Sequence, residues 1–183
     1  MARTLTRREF FGAASSILAD EGVEGLNIVA LCARLGVTRG SFYHHFDSLA
    51  DFNDAYLGHW ENVVSQERLE RVDREVGFDE RSEVSVRIAE SAEFRTETAL
   101  RAWAVSDDAV RDMLRRVDRR MVAVVRTSLL KAGATERQAT VYANMAVSMY
   151  TGLGGREQAA DPQLIREMYS ELKWAVLQRV AAN

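Results

Sequence analysis

Asn27-Ile28-Val29-Ala30-Leu31-Cys32-Ala33-Arg34-Leu35 runs directly into Gly36-Val37-Thr38-Arg39-Gly40-Ser41-Phe42-Tyr43-His44-His45-Phe46, and this stretch decides the fold. It reads as two short helices joined by a tight turn. Asn27 is a residue type whose side chain accepts from the unpaired N–H groups that open a helix. Leu31 and Leu35 lie one turn apart and face inward with Ile28. Cys32, four residues before Gly36, is small enough for a place where two helices cross steeply. Gly36 supplies the left-handed backbone position that ends a helix tightly. Val37 plugs the turn, and Thr38 caps the next helix, which runs to His45. Thr38, Arg39 and Ser41 then stand at an exposed, positively polarised helix start, which suits a phosphate. Phe42 and Phe46, four apart, hold this helix to a core, while Tyr43 and His44 point towards solvent or a groove.

Two short helices in that arrangement, the second lined with small, basic, hydroxyl and aromatic side chains, are the physical form of a helix-turn-helix DNA reader. Arg39 is the one long cationic donor on the second helix and can take a guanine edge or a phosphate. Thr38 and Ser41 suit phosphates through hydroxyl and backbone N–H, and His44 reaches a base edge or the backbone. A metal site at His44-His45 is not expected. Adjacent helical residues point about 100° apart, and no cysteine or acid completes a ligand set.

The run Gly36-Val37-Thr38-Arg39-Gly40-Ser41-Phe42-Tyr43, with His45 and Phe46, resembles the signature of the TetR/AcrR family of one-component transcriptional regulators. The resemblance covers roughly residues 5–60. It implies an all-α chain: residues 1–50 as a three-helix helix-turn-helix head, and 51–183 as a helical regulatory and dimerisation domain. It also implies that the Tyr43 hydroxyl donates to a phosphate. The candidate DNA-binding set is Arg7, Asn27, Thr38, Arg39, Gly40, Ser41, Tyr43, His44 and His45. Two positions depart from the family pattern. Leu49 stands where a phosphate-gripping lysine is usual, and Val29-Ala30 replace a polar pair early in the first short helix.

Outward from the motif, helix punctuation organises the chain. Thr6-x-x-Glu9 is a capping box opening a helix to about Asp20, with Phe10, Ala13, Ala14, Ile17 and Leu18 inward. Ser48-x-x-Asp51 opens a longer helix with Phe52, Tyr56, Trp60 and Val63 on its buried stripe, reaching about Val76 before Gly77. Further helices are expected over about 79–93 and 96–105. Ser106 is expected to cap a long helix with Val110, Leu114, Val117, Met121, Val124 and Ser128 on one face, ending at Ala132-Gly133. Thr135-x-x-Gln138 is another capping box, and Asp161-Pro162 opens the final helix.

From Ala139 to Gly155 no residue is charged, so this helix is buried somewhere. Ala139, Ala143, Ala146 and Val147 permit another helix to approach; the alternative is burial in the chain's own core. The last helix carries Leu164, Ile165, Met168, Leu172, Ala175 and Leu177, with Trp174 to one side. The resemblance implies that these two helices form the homodimer interface. Two-fold symmetry would then set two recognition helices roughly 34–36 Å apart on a near-palindromic double-stranded operator. It further implies an unknown small-molecule effector, a repressor released by it, and a cavity after Ser48. Candidate wall residues are Trp60, Phe94, Trp103, Met113, Met121, Tyr142, Met145, Met149 and Tyr150. Such a stripe is often plain core. Few charged residues fall on it, which favours a neutral or aromatic ligand.

Composition bounds the other classes. The 183 residues carry a formal charge of −3, one proline, one cysteine, and 22 arginines against two lysines, Lys131 and Lys173. One cysteine excludes an internal disulfide, and Cys32 reads as a packed small residue. No leader and no apolar run of membrane-spanning length appears, so a cytoplasmic protein without a membrane partner is expected. There is no Gly-rich phosphate loop, no Cys–His pair with a supporting acid and no ligand cluster, so neither an enzyme nor a cofactor is expected. Residues 1–59 hold five arginines against seven acids. Arg3, Arg7 and Arg8 gather at the front of the first helix, roughly 20 Å from Asp20, Glu21 and Glu24 at its far end. This lean basic surface predicts weak non-specific binding and a shallow salt dependence. The alternative function is a helical dimer that binds a small molecule or protein partner and keeps little DNA affinity. Leu49→Lys separates the two: a true reader binds all sequences more tightly and gains about one unit of salt slope.

Overall fold

The structure, a computed structural model, describes residues 5–74, 83, 87–88, 91–153 and 162–181. Arg3, Val76, Gly77, most of the 79–93 helix and the Asp161 cap lie outside the described residues. Every regular element among the described residues is helical. None of these helices is long and apolar enough to cross a membrane. The chain divides into two compact units, one of residues 1–64 with 95–114 and one of residues 65–94 with 115–183.

In the first unit, α1 (Arg7–Glu21) opens on the expected reciprocal cap. The Glu9 N–H donates to the Thr6 hydroxyl oxygen, and the Thr6 N–H donates to the Glu9 carboxylate at 2.8 Å. Phe10, Ala13, Ala14, Ile17 and Leu18 are buried as the spacing predicts, and Phe11 joins them. A short 3₁₀ turn (Val23–Gly25) leads to α2 (Ile28–Leu35). Gly25 is required there, because a β-carbon would stand 2.6 Å from Glu21 Cβ. Then follow α3 (Arg39–Tyr43) and α4 (Leu49–His59), the latter capped by Ser48, which accepts from the Asp51 N–H at 3.1 Å.

The core of this unit is aromatic. Phe10 meets Phe42 and Phe46 edge to face at 5.8 and 5.7 Å, and Phe46 meets Phe52 edge to face at 4.9 Å. Such pairs contribute beyond their buried area. They fix α3 on α1 and α4.

α4 does not continue as one regular helix. Trp60–Val64 forms a turn of π-helix before α5 (Ser65–Arg74). One extra residue enters the turn, so the buried stripe Phe52, Tyr56, Trp60 becomes Glu61, Ser65, Leu69. Val63, expected inward on a continuous helix, is therefore only half-buried. α6 (Ala92–Trp103) contributes Thr96, whose hydroxyl donates to the Ser15 carbonyl of α1 at 3.0 Å. The Ser15 hydroxyl in turn shares a 3.0 Å hydrogen bond with the Tyr56 hydroxyl. α7 (Asp108–Lys131) is capped by Asp107, not Ser106. The Asp107 carboxylate accepts from Ala109 and Val110, while the Ser106 hydroxyl turns back to the Trp103 carbonyl.

In the second unit the end of α7 turns at Gly133 (φ 93°) into α8 (Glu136–Leu153) through the Thr135/Gln138 capping box. α9 (Pro162–Ala181) runs antiparallel to α8. Gln138 donates to the Arg179 carbonyl at 3.0 Å at one end, and Tyr150 and Leu153 cluster with Ile165 at the other. Ala139 and Ala143 are spent inside this unit, packed with Leu129, Ala134 and Val176, and Val147 is buried too. These small residues therefore do not offer the surface for a second copy. The exposed large apolar side chains are Val141 and Met145 on α8 and Leu164, Trp174 and Leu177 on α9.

Candidate nucleic-acid interface

Two caps and a left-handed residue shape the α2–α3 pair. Asn27 accepts from the Ala30 N–H at 3.0 Å and donates through its amide to the Gly25 carbonyl at 3.2 Å. Both ends of its side chain are thus engaged within the chain. Gly36 sits at φ 67°, ψ 36°, in the left-handed region predicted for it. Leu31 and Cys32 are buried, whereas Ile28 and Leu35 are half-buried, because the short helix turns them to its rim. Thr38 occupies the cap of α3 in extended conformation, but its hydroxyl makes no capping bond. That hydroxyl stays exposed and available. α3 itself is five residues long, ending at Tyr43 rather than His45.

Phe42 is fully buried and Phe46 nearly so, and they carry the rest of α3 outward. Thr38, Arg39, Gly40, Tyr43 and His44 are exposed, and Ser41 is half-buried. Tyr43 is 55% exposed, its ring held only edge-on by Phe42 at 5.5 Å. His45 is different: it leans on Phe10 at 5.6 Å and is half-buried, so it shapes the head from within. Arg7 lies over the Phe46 ring at 4.5 Å, a cation–π contact that brings the start of α1 to the end of the α3 segment.

Charge is arranged to leave cations free at this edge. Arg34 binds Asp20 and Glu21 at 2.9 and 2.8 Å, fastening α2 to the far end of α1 and consuming two acids. Arg7, Arg8 and Arg39 make no ion pair among the described residues. Burial pushes the Cys32 thiol up, and the nearby Arg39 charge opposes it. The thiol donates to the Thr38 carbonyl at 3.5 Å, so Cys32 packs the helix pair together and is not a reactive group.

Gly40 carries a signal that periodicity does not. It is helical with ordinary φ, and a β-carbon there would meet only Thr38 Oγ1, at 3.5 Å. Nothing inside the chain requires glycine, which weakens a helix by about 1 kcal/mol against alanine.

Residues 11–54 match the family of bacterial regulatory proteins described as tetR. A TetR-family transcriptional regulator from Streptomyces coelicolor is 20% identical, with 95% of each chain covered and a TM-score of 0.75. A transcriptional regulator from Rhodococcus sp. Rha1 is 17% identical over 95% of this chain and 97% of that one, with a TM-score of 0.76. A TetR transcriptional regulator from Legionella pneumophila is 12% identical over 93% and 98%, with a TM-score of 0.73. No curated protein sequence matches the chain. The chain has a TetR-type fold, and its head matches the tetR family.

In this TetR-type chain the residues proposed for an effector wall fall in both units, and within the second unit on two clusters. Phe94 and Tyr150 meet edge to face at 5.1 Å, and Met121 packs on the same cluster. Tyr142 packs on the separate cluster around Leu129 and Ala143. Met149 is half-buried, and Met145 points outward at 49% exposure. Trp60 and Met113 are buried and Trp103 half-buried, all three in the first unit. Two buried acids are not marked as site residues by the sequence pattern. Glu61 is turned in by the π-turn, and Glu97 is paired with Arg101 one turn on. An i, i+4 Glu–Arg spacing was the signal for the second; the first had none.

Proposed function

We propose that this TetR-type regulator reads a near-palindromic operator as a homodimer, with one head in each half-site, and represses transcription until a small molecule releases it. The observation that carries the reading is the edge of α3. Arg39, Gly40, Tyr43 and His44, with the Thr38 hydroxyl, all stand outward on a segment locked from beneath by Phe42 and Phe46. A phosphate backbone takes hydroxyls, cations and backbone N–H groups, and a base edge takes Arg39. Arg7, placed by Phe46, adds a phosphate contact; Ser41 supplies another. Asn27 and His45 support the geometry from inside the head.

The homodimer is supported by where apolar surface remains. Of the eight exposed large apolar side chains among the described residues, Val141, Met145, Leu164, Trp174 and Leu177 lie on α8 and α9. A second copy of this face would cover them. Effector release is supported by the apolar cluster of Phe94, Tyr150, Met121 and Ile165, which favours an uncharged or aromatic ligand. Its coupling to DNA binding is expected at about 1–3 kcal/mol.

Selection of genomic fragments by the purified protein at near-physiological salt tests the reading, with Arg39→Ala and Tyr43→Ala as controls. Enrichment of one near-palindromic site, lost in both variants, is the expected result. Uniform weak recovery that neither substitution changes would instead favour a partner-binding dimer whose head no longer reads DNA.

A further inference from the structure

Val29 is an apolar residue that the head leaves on its surface. It is 54% exposed in the first turn of α2, a branched apolar side chain with its surface in water. The reading of a DNA-binding head, on which this inference rests, gives it a place. The Cys32 thiol reaches the Thr38 carbonyl, so that side of α2 fronts the first turn of α3. Val29 is three residues before Cys32, hence about 60° round the helix and one turn nearer its open end. It therefore stands beside the edge that carries Thr38 and Arg39. The influence of the Arg39 charge on the Cys32 thiol places Arg39 near the Cys32 side of α2.

At that edge a valine cannot serve a phosphate, since it neither donates nor accepts a hydrogen bond. In the major groove the apolar feature that a side chain can meet is the thymine C5-methyl group. We propose that Val29 is a specificity-determining residue that packs against a thymine methyl in each operator half-site. Specificity is thus divided between a polar reader, Arg39 on α3, and an apolar one on α2. Ala30 and Ala33, small neighbours on the same short helix, leave room for the approach.

The test removes one methyl group from the DNA and one side chain from the protein. The full-length protein first selects its operator. Each thymine in a half-site is then replaced by deoxyuridine, which deletes only the methyl, and binding is measured for wild type and Val29→Ala. At one thymine per half-site, uracil should weaken the wild type about fourfold, the effect of one buried methyl-sized group. Val29→Ala should bind the thymine operator about as weakly and be indifferent to uracil at that position only. Helical content of Val29→Ala, measured by circular dichroism, should equal wild type, because alanine suits an exposed helix position. The inference is overturned if no thymine shows a uracil effect, or if the effect survives in Val29→Ala. A wild type that selects no site at all overturns the DNA-reader reading itself, a separate result seen before any thymine is changed.

Discussion

Around α3 the exposed side chains are an arginine, a threonine hydroxyl, a phenol and an imidazole, standing on buried Phe42 and Phe46. Along α8 and α9 the exposed large apolar side chains are Val141, Met145, Leu164, Trp174 and Leu177, beside buried Ala139, Ala143, Ile165 and Val176. Both surfaces rest on well-packed cores, so neither is a folding defect. The first offers hydrogen bonds and positive charge, and what completes it is polar and anionic. The second offers large apolar side chains among polar ones, and what covers those apolar side chains is another apolar surface. Exposure marks both places; the chemistry of what is exposed separates the proposed nucleic-acid edge from the proposed dimer face.

The largest expected effect would break the second half of that comparison. Trp174→Asp puts a charge where a two-fold interface would bury an indole, and symmetry counts it twice. Truncating one interface tryptophan loses about 2–4 kcal/mol. The dimer should therefore weaken by roughly 1,000-fold or more, and sedimentation at micromolar concentration should show a monomer with unchanged helix content. A dimer that sediments unaltered would remove α8 and α9 from the interface.

Next in size is the support beneath α3. Phe42 is fully buried among the rings of Phe10, Phe46 and Phe52. Phe42→Ala should destabilise the protein by about 3–5 kcal/mol. Urea unfolding measures this, and operator binding should fail together with the fold. A loss under about 1 kcal/mol would mean that the aromatic cluster is not what holds the reader in place.

How much of this was legible without coordinates depends on whether the signal was local. The Thr6 and Thr135 capping boxes, the Asn27 and Ser48 caps and the left-handed Gly36 all sit as expected, because each is decided within four residues. The Ser106 cap failed to a stronger neighbour, the Asp107 carboxylate. The π-turn at Trp60–Val64 was invisible, since apolar residues at 52, 56, 60 and 63 fit a regular helix just as well. On α8 the sequence showed an uncharged helix but not which side faced home. Only packing put Ala139 and Ala143 inside and Met145 outside. In the candidate site, Arg39 and Tyr43 were legible from residue type. The second hydrogen bond of Asn27, from its amide to the Gly25 carbonyl, and the packing of His45 on Phe10 were not, because they depend on where Gly25 and Phe10 fold to.

Gly40 sharpens the first half of the comparison, because fold and function should pull in opposite directions there. With no internal obstacle to a β-carbon, Gly40→Ala should stabilise the protein by about 0.5–1 kcal/mol. If DNA lies against this backbone, the same methyl crowds it, and affinity should fall roughly tenfold per half-site. Melting and operator titration on one preparation read both signs. A variant that is more stable and binds equally well would show that nothing approaches α3 closely.

The smallest effect concerns the node that joins α1, α4 and α6. Tyr56 is fully buried, and its hydroxyl meets the Ser15 hydroxyl while Thr96 donates to the Ser15 carbonyl. Tyr56→Phe removes one hydrogen bond and should cost about 1 kcal/mol at pH 8. Burial, opposed in part by the Ser15 hydrogen bond, pushes the Tyr56 phenol up to about 12 from 10.0. Its folded value is raised, so its contribution is complete below pH 10 and is lost as pH climbs towards 12. Between those values the unfolded chain has released this proton and the folded chain still holds it. Wild type should accordingly lose stability above pH 10 by up to about 1.4 kcal/mol per pH unit from this group alone. Tyr56→Phe lacks that term, and titrations elsewhere cancel between the two proteins. The wild-type advantage should vanish near pH 11 and then reverse, as urea midpoints at pH 8, 10 and 11 would show. A constant difference across that range would mean that the Tyr56 hydroxyl reaches water in the folded protein, and that the node does not clamp α1 to α4.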